Sequence, residues 1–199
     1  MPEVISKEEF NELINLKGEL RGGGIKAYGD FILKEKGEEG LKKLEETIAK
    51  LGFPIKFREL RTMEFFPVGL EAIILLAIQR LFDYDDKKFQ EIGGFEPKSS
   101  LILRLFMKYF ASIDMVAKQT PSLWKEHFTF GDCKVIELNK EKRYIVLRIE
   151  NFRLHPLHCQ NLIGYLSTVV QMVTKSQTTC QETKCVFRGD EYHEFLLKW

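Results

Sequence analysis

The main feature of the hydrophobic pattern is a run that begins at Pro67 and stays apolar to about Phe82. Its apolar side chains point in almost every direction around a helix, which is typical of a helix that is buried on all sides. We therefore expect this segment to be the central helix of the fold. Its one acidic residue, Glu71, falls in the first turn, where we expect it at the surface, compensating the positive helix end. The alternative is that Glu71 lines a pocket.

Helical periodicity recurs on both sides of this run. It predicts helices over residues 7–16, 25–36, 38–51 and 98–118, and a shorter helix that begins at Thr120-Pro121. Glycines separate several of these segments. The triplet Gly22-Gly23-Gly24 predicts a hinge or a close backbone approach, and Gly93-Gly94 predicts a break between two helices.

The pattern changes after residue 131 from helical periodicity to short β-branched segments. Residues 134–138 and 144–149 predict an antiparallel hairpin, residues 156–175 a helix, and residues 184–187 and 192–198 two further strands. Because helices and strands are segregated, the predicted class is α+β. We expect an N-terminal helical part packed on an antiparallel sheet of about four strands, in the order helices-β-β-α-β-β.

We expect residues 1–199 to form a single domain, with residues 1–24 as an N-terminal helix and glycine hinge. The charge balance of 30 Lys plus Arg against 29 Asp plus Glu leaves a formal net charge of +1. Such a balance argues against a nucleic-acid-binding surface, which needs concentrated basic charge. The sequence shows no secretory signal and no membrane-spanning run, so we expect a cytoplasmic protein with reduced thiols.

Reduced cysteines are available as metal ligands, and three of the four lie near the C-terminal end together with a histidine. The candidate zinc ligands are Cys159, Glu182, Cys185 and His193. The alternative is that the cysteines are small buried thiols. Strand alternation gives Glu182 the wrong parity to join Cys185 within one regular strand, so Glu182 must precede the strand or lie across a bulge. Cys180 is a reserve ligand, and Cys133 is expected to be inert.

The closing segment Cys185-Val-Phe-Arg-Gly-Asp-Glu-Tyr-His193-Glu-Phe195 resembles the end of the four-vinyl-reductase domain. That domain shares a ligand-binding superfamily with haem nitric-oxide sensors and Golgi-transport tethering subunits. The candidate zinc ligands also match the zinc spacing of phenol-sensing activators, with His193 in place of the last Cys. Phe66-Pro67 and Pro121-Ser-Leu-Trp124 resemble a related uncharacterised bacterial family.

The resemblance implies a single ligand-binding-type domain with an apolar small-molecule ligand held between helices and sheet. The candidate pocket residues are aromatic: Phe106, Tyr109, Phe110, Trp124, Phe128 and Tyr144. Their alternative role is packing in the core. The haem branch uses a proximal His and a Tyr-x-Ser-x-Arg motif; the motif is missing here, so the sequence argues against haem as a cofactor.

The expected function is a stand-alone small-molecule-binding or sensory domain with a structural zinc site. It carries no recognisable output module, so it would act through a protein partner or a homodimer. The alternatives are a non-catalytic interaction scaffold, like the Golgi-tethering subunits, and an accessory to tetrapyrrole vinyl reduction. No enzyme is predicted, because the sequence shows no Ser-His-Asp set, dinucleotide fingerprint or paired-carboxylate motif.

Overall fold

A computed structural model describes residues 5–99 and 112–199. The helices of these residues are α1 (Lys7–Ile14), α2 (Gly22–Lys50), α3 (Val68–Phe82), α4 (Asp86–Ser99), α5 (Ile113–His127) and α6 (Pro156–Thr174). The strands are β1 (Glu19–Arg21), β2 (Phe65–Pro67), β3 (Asp132–Asn139), β4 (Tyr144–Glu150), β5 (Thr179–Lys184) and β6 (His193–Lys198). Short 3-10 turns lie at Phe57–Glu59 and Val186–Arg188.

The four C-terminal strands form one antiparallel sheet in the order β3-β4-β6-β5. The β3-β4 and β5-β6 pairs are the two predicted hairpins, and β6 joins them by pairing with β4. Helix α6 connects the hairpins. A small sheet, β1-β2, ties the start of α2 to the start of α3. The predicted α+β class and the order helices-β-β-α-β-β are therefore confirmed.

Helix α3 lies at the centre of the helical part, as its pattern predicts. Every residue from Val68 to Ile78 is buried. This burial includes Glu71, which is 2% exposed, so the prediction of a surface carboxylate is wrong. The neighbours of α3 cover its first turn, and the carboxylate is enclosed with them. Among the described residues, no helix combines the length and apolar character needed to cross a lipid bilayer.

Two predicted helices, 25–36 and 38–51, are the halves of α2. Gly37 separates them with φ 68° and ψ −168°, a backbone conformation that residues with a side chain rarely adopt. The predicted helix 98–118 is wrong at Ser112, which has an extended backbone and caps α5 by accepting a hydrogen bond from the Met115 N–H at 3.2 Å. Residues 100 to 111 lie outside the described part of the chain.

Helices α4 and α6 pack at backbone distance, and glycines make this possible. A Cβ on Gly93 would lie 1.9 Å from the Asn161 carbonyl oxygen, and one on Gly164 would lie 1.8 Å from the Gln90 carbonyl oxygen. The predicted break at Gly93-Gly94 is therefore wrong. Both glycines lie inside α4, where they remove the side chains that would hold the two helices apart.

Substitution of Gly93 by alanine tests this close packing. We expect Gly93→Ala to lower the free energy of unfolding by about 1–3 kcal/mol or more, because the new methyl group overlaps a backbone carbonyl that cannot move by itself. Denaturant unfolding measures the change. Gly23→Ala is the matched control, since the nearest atom to its Cβ is 3.7 Å away. Equal stability of the two variants would contradict the packing described here.

Candidate functional site

The four candidate zinc ligands converge on one point in the structure. Their ligand atoms, from Cys159, Glu182, Cys185 and His193, all lie within 4.8 Å of one another. Cys159 lies in the first turn of α6, Glu182 in β5, Cys185 just after β5, and His193 at the start of β6. All four side chains are buried, with those of His193 and Glu182 only 1% and 4% exposed. We call this set the ligand cluster.

The local structure of the closing hairpin brings the cluster together. A bulge between Glu182 and Lys184 changes the parity of β5, so Glu182 and Cys185 reach the same site. The predicted strand over 184–187 is wrong, because β5 ends at Lys184 and a 3-10 turn follows. Asp190 closes this turn by accepting a hydrogen bond from the Cys185 N–H at 2.8 Å, and Gly189 has φ 96°.

Two distances in the ligand cluster are close to those of a tetrahedral zinc site, and a third is shorter. The Cys159 Sγ atom lies 3.9 Å from Cys185 Sγ and 3.8 Å from His193 Nδ1. Ligand atoms about 2.0–2.3 Å from a zinc ion would be about 3.3–3.8 Å apart. His193 Nδ1 is 2.9 Å from Glu182 Oε1.

The tautomer of His193 is set by a backbone carbonyl. Its Nε2 lies 3.1 Å from the Phe152 carbonyl oxygen, which can only accept, so Nε2 carries a proton. In the neutral ring Nδ1 is then a lone-pair acceptor that faces the acceptor Oε1 of Glu182. A metal cation, or a proton held between Nδ1 and Oε1, reconciles these two acceptors. A carbonyl that orients the far nitrogen is common behind a metal-bound imidazole.

Burial disfavours the ionised form of both thiols in the ligand cluster. Desolvation raises the pKa of Cys159 well above its ordinary value, and the Glu182 carboxylate and the neighbouring Cys185 thiol raise it further. Desolvation also raises the pKa of Cys185. A bound dication would offset this cost. Arg188 lies 3.2 Å from Glu182 Oε2 and holds the carboxylate in place from the solvent side.

The remaining two cysteines stay outside the ligand cluster. Burial raises the pKa of both the Cys133 and the Cys180 thiol to about 12, with Glu182 adding to the shift at Cys180. Neither thiol is therefore ionised near neutral pH. Within the described ranges, 5–99 and 112–199, the reserve ligand Cys180 is not part of the group that could hold an ion.

A cavity of about 160 Å³ lies between the helical part and the sheet. Helices α2 to α6 and strands β1, β3 and β4 contribute to its wall, which is mostly apolar. The apolar lining includes Leu20, Trp124, Phe128, Ile145, Leu147 and Val170. Mostly apolar concave sites with a few polar groups are the usual form of small-molecule sites.

The predicted pocket aromatics are divided by the structure. Trp124 and Phe128 line the cavity and stack on each other with ring centroids 4.5 Å apart. Tyr144 lies at the start of β4, and its hydroxyl donates a hydrogen bond to Glu137 instead. Phe106, Tyr109 and Phe110 lie outside the described residues.

The polar end of the cavity is built by Glu71, Tyr28, His158 and Glu96. The Tyr28 hydroxyl donates a hydrogen bond to Glu71 Oε1, and His158 Nδ1 lies 3.2 Å from the same oxygen without hydrogen-bond geometry. Glu71 Oε2 and both ring nitrogens of His158 have no hydrogen-bond partner among the described residues. His158 is 3% exposed. We call these four residues the polar end.

The polar end contains two carboxyl groups, those of Glu71 and Glu96. Burial raises the pKa of Glu96 to about 7, and the Glu71 carboxylate contributes to the rise. Burial and Glu71 also raise the pKa of Tyr28, which keeps its hydroxyl a donor. The pKa of His127, which also lines the cavity, is lowered by burial.

Sequence reasoning missed the polar end. The signal was present in Glu71, a carboxylate inside a helix predicted to be buried on every side. Such a helix has no solvent face for a charge, so the side chain must find a polar partner in the interior. Tyr28 and Glu96 lie 43 and 25 residues away along the chain, and nothing in the local pattern pairs them with it.

No family model matches the sequence, and no curated protein sequence is significantly similar to it. Solved structures do match the fold. An H-NOX protein from S. oneidensis in the Fe(II)NO ligation state is 12% identical, with a TM-score of 0.67 and coverage of 90% of this chain and 98% of that chain. An oxygen-binding H-NOX domain related to soluble guanylate cyclases is 9% identical, with a TM-score of 0.65 and coverage of 90% and 94%.

These matches define the class of fold, which is that of H-NOX domains. The predicted likeness to haem nitric-oxide sensors is supported at that level. The links to the four-vinyl-reductase domain, the Golgi-tethering subunits, the phenol-sensing activators and the uncharacterised bacterial family stay predictions. The argument against haem is corrected, because a missing motif cannot outweigh a fold shared with structures described by their iron ligation and by haem distortion.

Proposed function

We propose that residues 1–199 act as one small-molecule-binding sensor domain whose ligand occupies the cavity between the helices and the sheet. The observation that carries the proposal is the cavity with apolar walls, at whose polar end Glu71 Oε2 and both His158 ring nitrogens have no hydrogen-bond partner among the described residues. The fold shared with H-NOX domains supports the sensor role, since those structures are described with bound NO or oxygen.

The signal would leave through a protein partner or a second copy of the chain. A cytoplasmic location also stays a prediction. A scaffold without a ligand and an accessory role in tetrapyrrole chemistry are the alternatives; the cavity favours neither.

We further propose that the ligand cluster holds a structural zinc ion. Support comes from its two thiols, one imidazole and one carboxylate at separations near those of a tetrahedral site. Four protein ligands would leave no open position, which is typical of structural rather than catalytic zinc. The ion would fasten the first turn of α6 to the β5-β6 hairpin.

Haem is a second candidate occupant of the cavity. The observation that favours it is an imidazole in the cavity wall, His158, whose two nitrogens lack hydrogen-bond partners among the described residues. His127 offers a further imidazole in the cavity wall. An imidazole suits iron as a ligand, but a cavity of about 160 Å³ takes about one ring, so haem would need a wider cavity than this structure has. His158 or His127 would hold the group, and haem would supply an iron that binds a diatomic gas.

The zinc proposal predicts about one zinc per chain by elemental analysis. We expect Cys159→Ser and Cys185→Ser to lose most of the metal, because serine replaces a thiolate ligand. Removal of the metal by a chelator should lower the melting temperature by at least about 2–4 °C, the change expected for each 1 kcal/mol in a domain of this size.

The matched control for zinc is Cys180→Ser, a cysteine of β5 outside the ligand cluster. It should keep its full zinc content. Purified protein without zinc, which also fails to bind added zinc, would contradict the assignment. Loss of metal in Cys180→Ser alone would move the site to the reserve ligand.

The cavity proposal predicts that small apolar molecules bind in the interior. We expect toluene to raise the melting temperature of the protein, and Leu123→Trp to abolish this shift because the larger ring fills the cavity. Leu123 is half-buried in the wall, so the larger ring can be accommodated. Exposed Ile136→Trp serves as the control and should keep the toluene effect. An unaltered melting temperature with toluene would favour the scaffold alternative.

The haem candidate predicts that added haemin gives the Soret absorption of histidine-ligated iron. We expect His158→Ala to lose this spectrum because the proposed iron ligand is removed. The control is His155→Ala, another imidazole of the α6 N-terminus, which caps the helix and does not line the cavity. A spectrum identical to free haemin in the parent protein would exclude haem as the occupant.

A further inference from the structure

Glu71 presents an acceptor that nothing in the described structure satisfies. The residue is 2% exposed, and its Oε1 accepts the Tyr28 hydroxyl while Oε2 has no partner among residues 5–99 and 112–199. A buried acceptor without a donor destabilises the folded protein, and more so when it is charged. Because Glu71 lines the cavity, a ligand is in position to supply the missing donor.

The polar end carries excess negative charge. Glu96 adds a second carboxyl to that of Glu71, while no lysine is among the described residues that line the cavity. Arg21 also lines it, but its guanidinium donates to the Glu126 carbonyl oxygen at 2.7 Å and to the Met63 carbonyl oxygen. It also lies 4.3 Å from the centre of the Phe65 ring, which is partly exposed. The Arg21 guanidinium is thus engaged by backbone carbonyls, and the basic side chain beside Glu71 is His158.

Helix packing brings the two carboxyl groups to the same place. Helices α4 and α6 run antiparallel, with Gly93 against Asn161 and Gln90 against Gly164. One turn further along each helix, this register sets Glu96 opposite His158. His158 in turn lies beside Glu71. The polar end therefore offers two carboxyl groups and one imidazole to a bound group.

We propose that the cavity binds a small organic ammonium ion, with its charged nitrogen at Glu71 and Glu96 and its apolar body against Trp124 and Phe128. This inference rests on the proposed ligand-binding function. An ammonium group has three N–H donors, and Glu71 Oε2 and the two carboxyl oxygens of Glu96 are acceptors of matching number. The cavity volume of about 160 Å³ is close to that of an engineered cavity that binds benzene, so the body is about one ring.

The probes for this proposal share one ring and differ in their polar group. They are benzylammonium, benzyl alcohol and benzoate, with toluene as the apolar reference. Calorimetric titration at about pH 8 keeps Glu96 ionised and benzylamine protonated. We expect benzylammonium to bind at least about tenfold more tightly than benzyl alcohol, because hydrogen bonds between charged partners are the stronger ones. We expect benzoate not to bind.

Charge-removing substitutions identify the carboxylates. Glu71→Gln and Glu96→Gln should each weaken benzylammonium binding by at least about tenfold and leave toluene binding unchanged. Glu91→Gln is the control, because it makes the same change at an exposed position of α4, the helix that carries Glu96. Circular dichroism monitors folding, and Glu96→Gln carries the test if Glu71→Gln does not fold.

The outcomes separate this inference from the function on which it rests. Equal affinities for benzylammonium and benzyl alcohol, unchanged by either substitution, would overturn the ammonium preference and leave the cavity as a binding site. Tighter binding of benzoate would overturn it as well. Failure of all four probes, toluene included, would overturn the proposed function itself.

Discussion

The structure depends on the contact between α4 and α6, where two backbones meet without side chains between them. Gly93 and Gly164 each face a carbonyl oxygen of the other helix at a distance that no Cβ would allow. Such a contact has little freedom to slide, because every neighbouring side chain is placed by it. It holds α6 between the helical part and the sheet, and α6 carries residues of both candidate sites.

Consecutive residues of α6 belong to different sites. His158 contributes to the polar end of the cavity, and Cys159 contributes to the ligand cluster. Phe152 lies between the two sites, with ring centroids 5.4 Å from His158 and 6.3 Å from His193, and its carbonyl oxygen accepts from His193. A metal that orders the cluster would therefore also order one wall of the cavity.

The two sites differ in how they balance buried charge. In the ligand cluster, the ligand atoms of two thiols, one imidazole and one carboxyl group converge on one point, which suits a divalent cation. In the cavity, the carboxylates are spread over the end of a mostly apolar space, which suits an organic cation of low charge. The shared fold accommodates both because the sheet covers the hairpin side of α6 and the helices cover the other.

Much of the fold was predictable from local pattern. β-Branched apolar segments predicted the β3-β4 hairpin, the apolar run predicted α3, and the order of helices and strands predicted the α+β class. The candidate zinc ligands were also chosen from sequence, since thiols, imidazole and carboxylate are clustered in a short closing segment. Strand parity required Glu182 either to precede the strand or to lie across a bulge, and the structure has a bulge between Glu182 and Lys184.

By itself, then, the sequence determined the elements, because hydrophobic period and caps act over a few residues. Only the tertiary structure decided that Glu71 is buried and that Gly93-Gly94 lies inside a helix. A glycine pair reads as a break unless a second helix lies against it, and a carboxylate in the first turn of a helix reads as exposed unless neighbours cover that turn. Both depend on contacts between segments far apart in the chain, which no local period records.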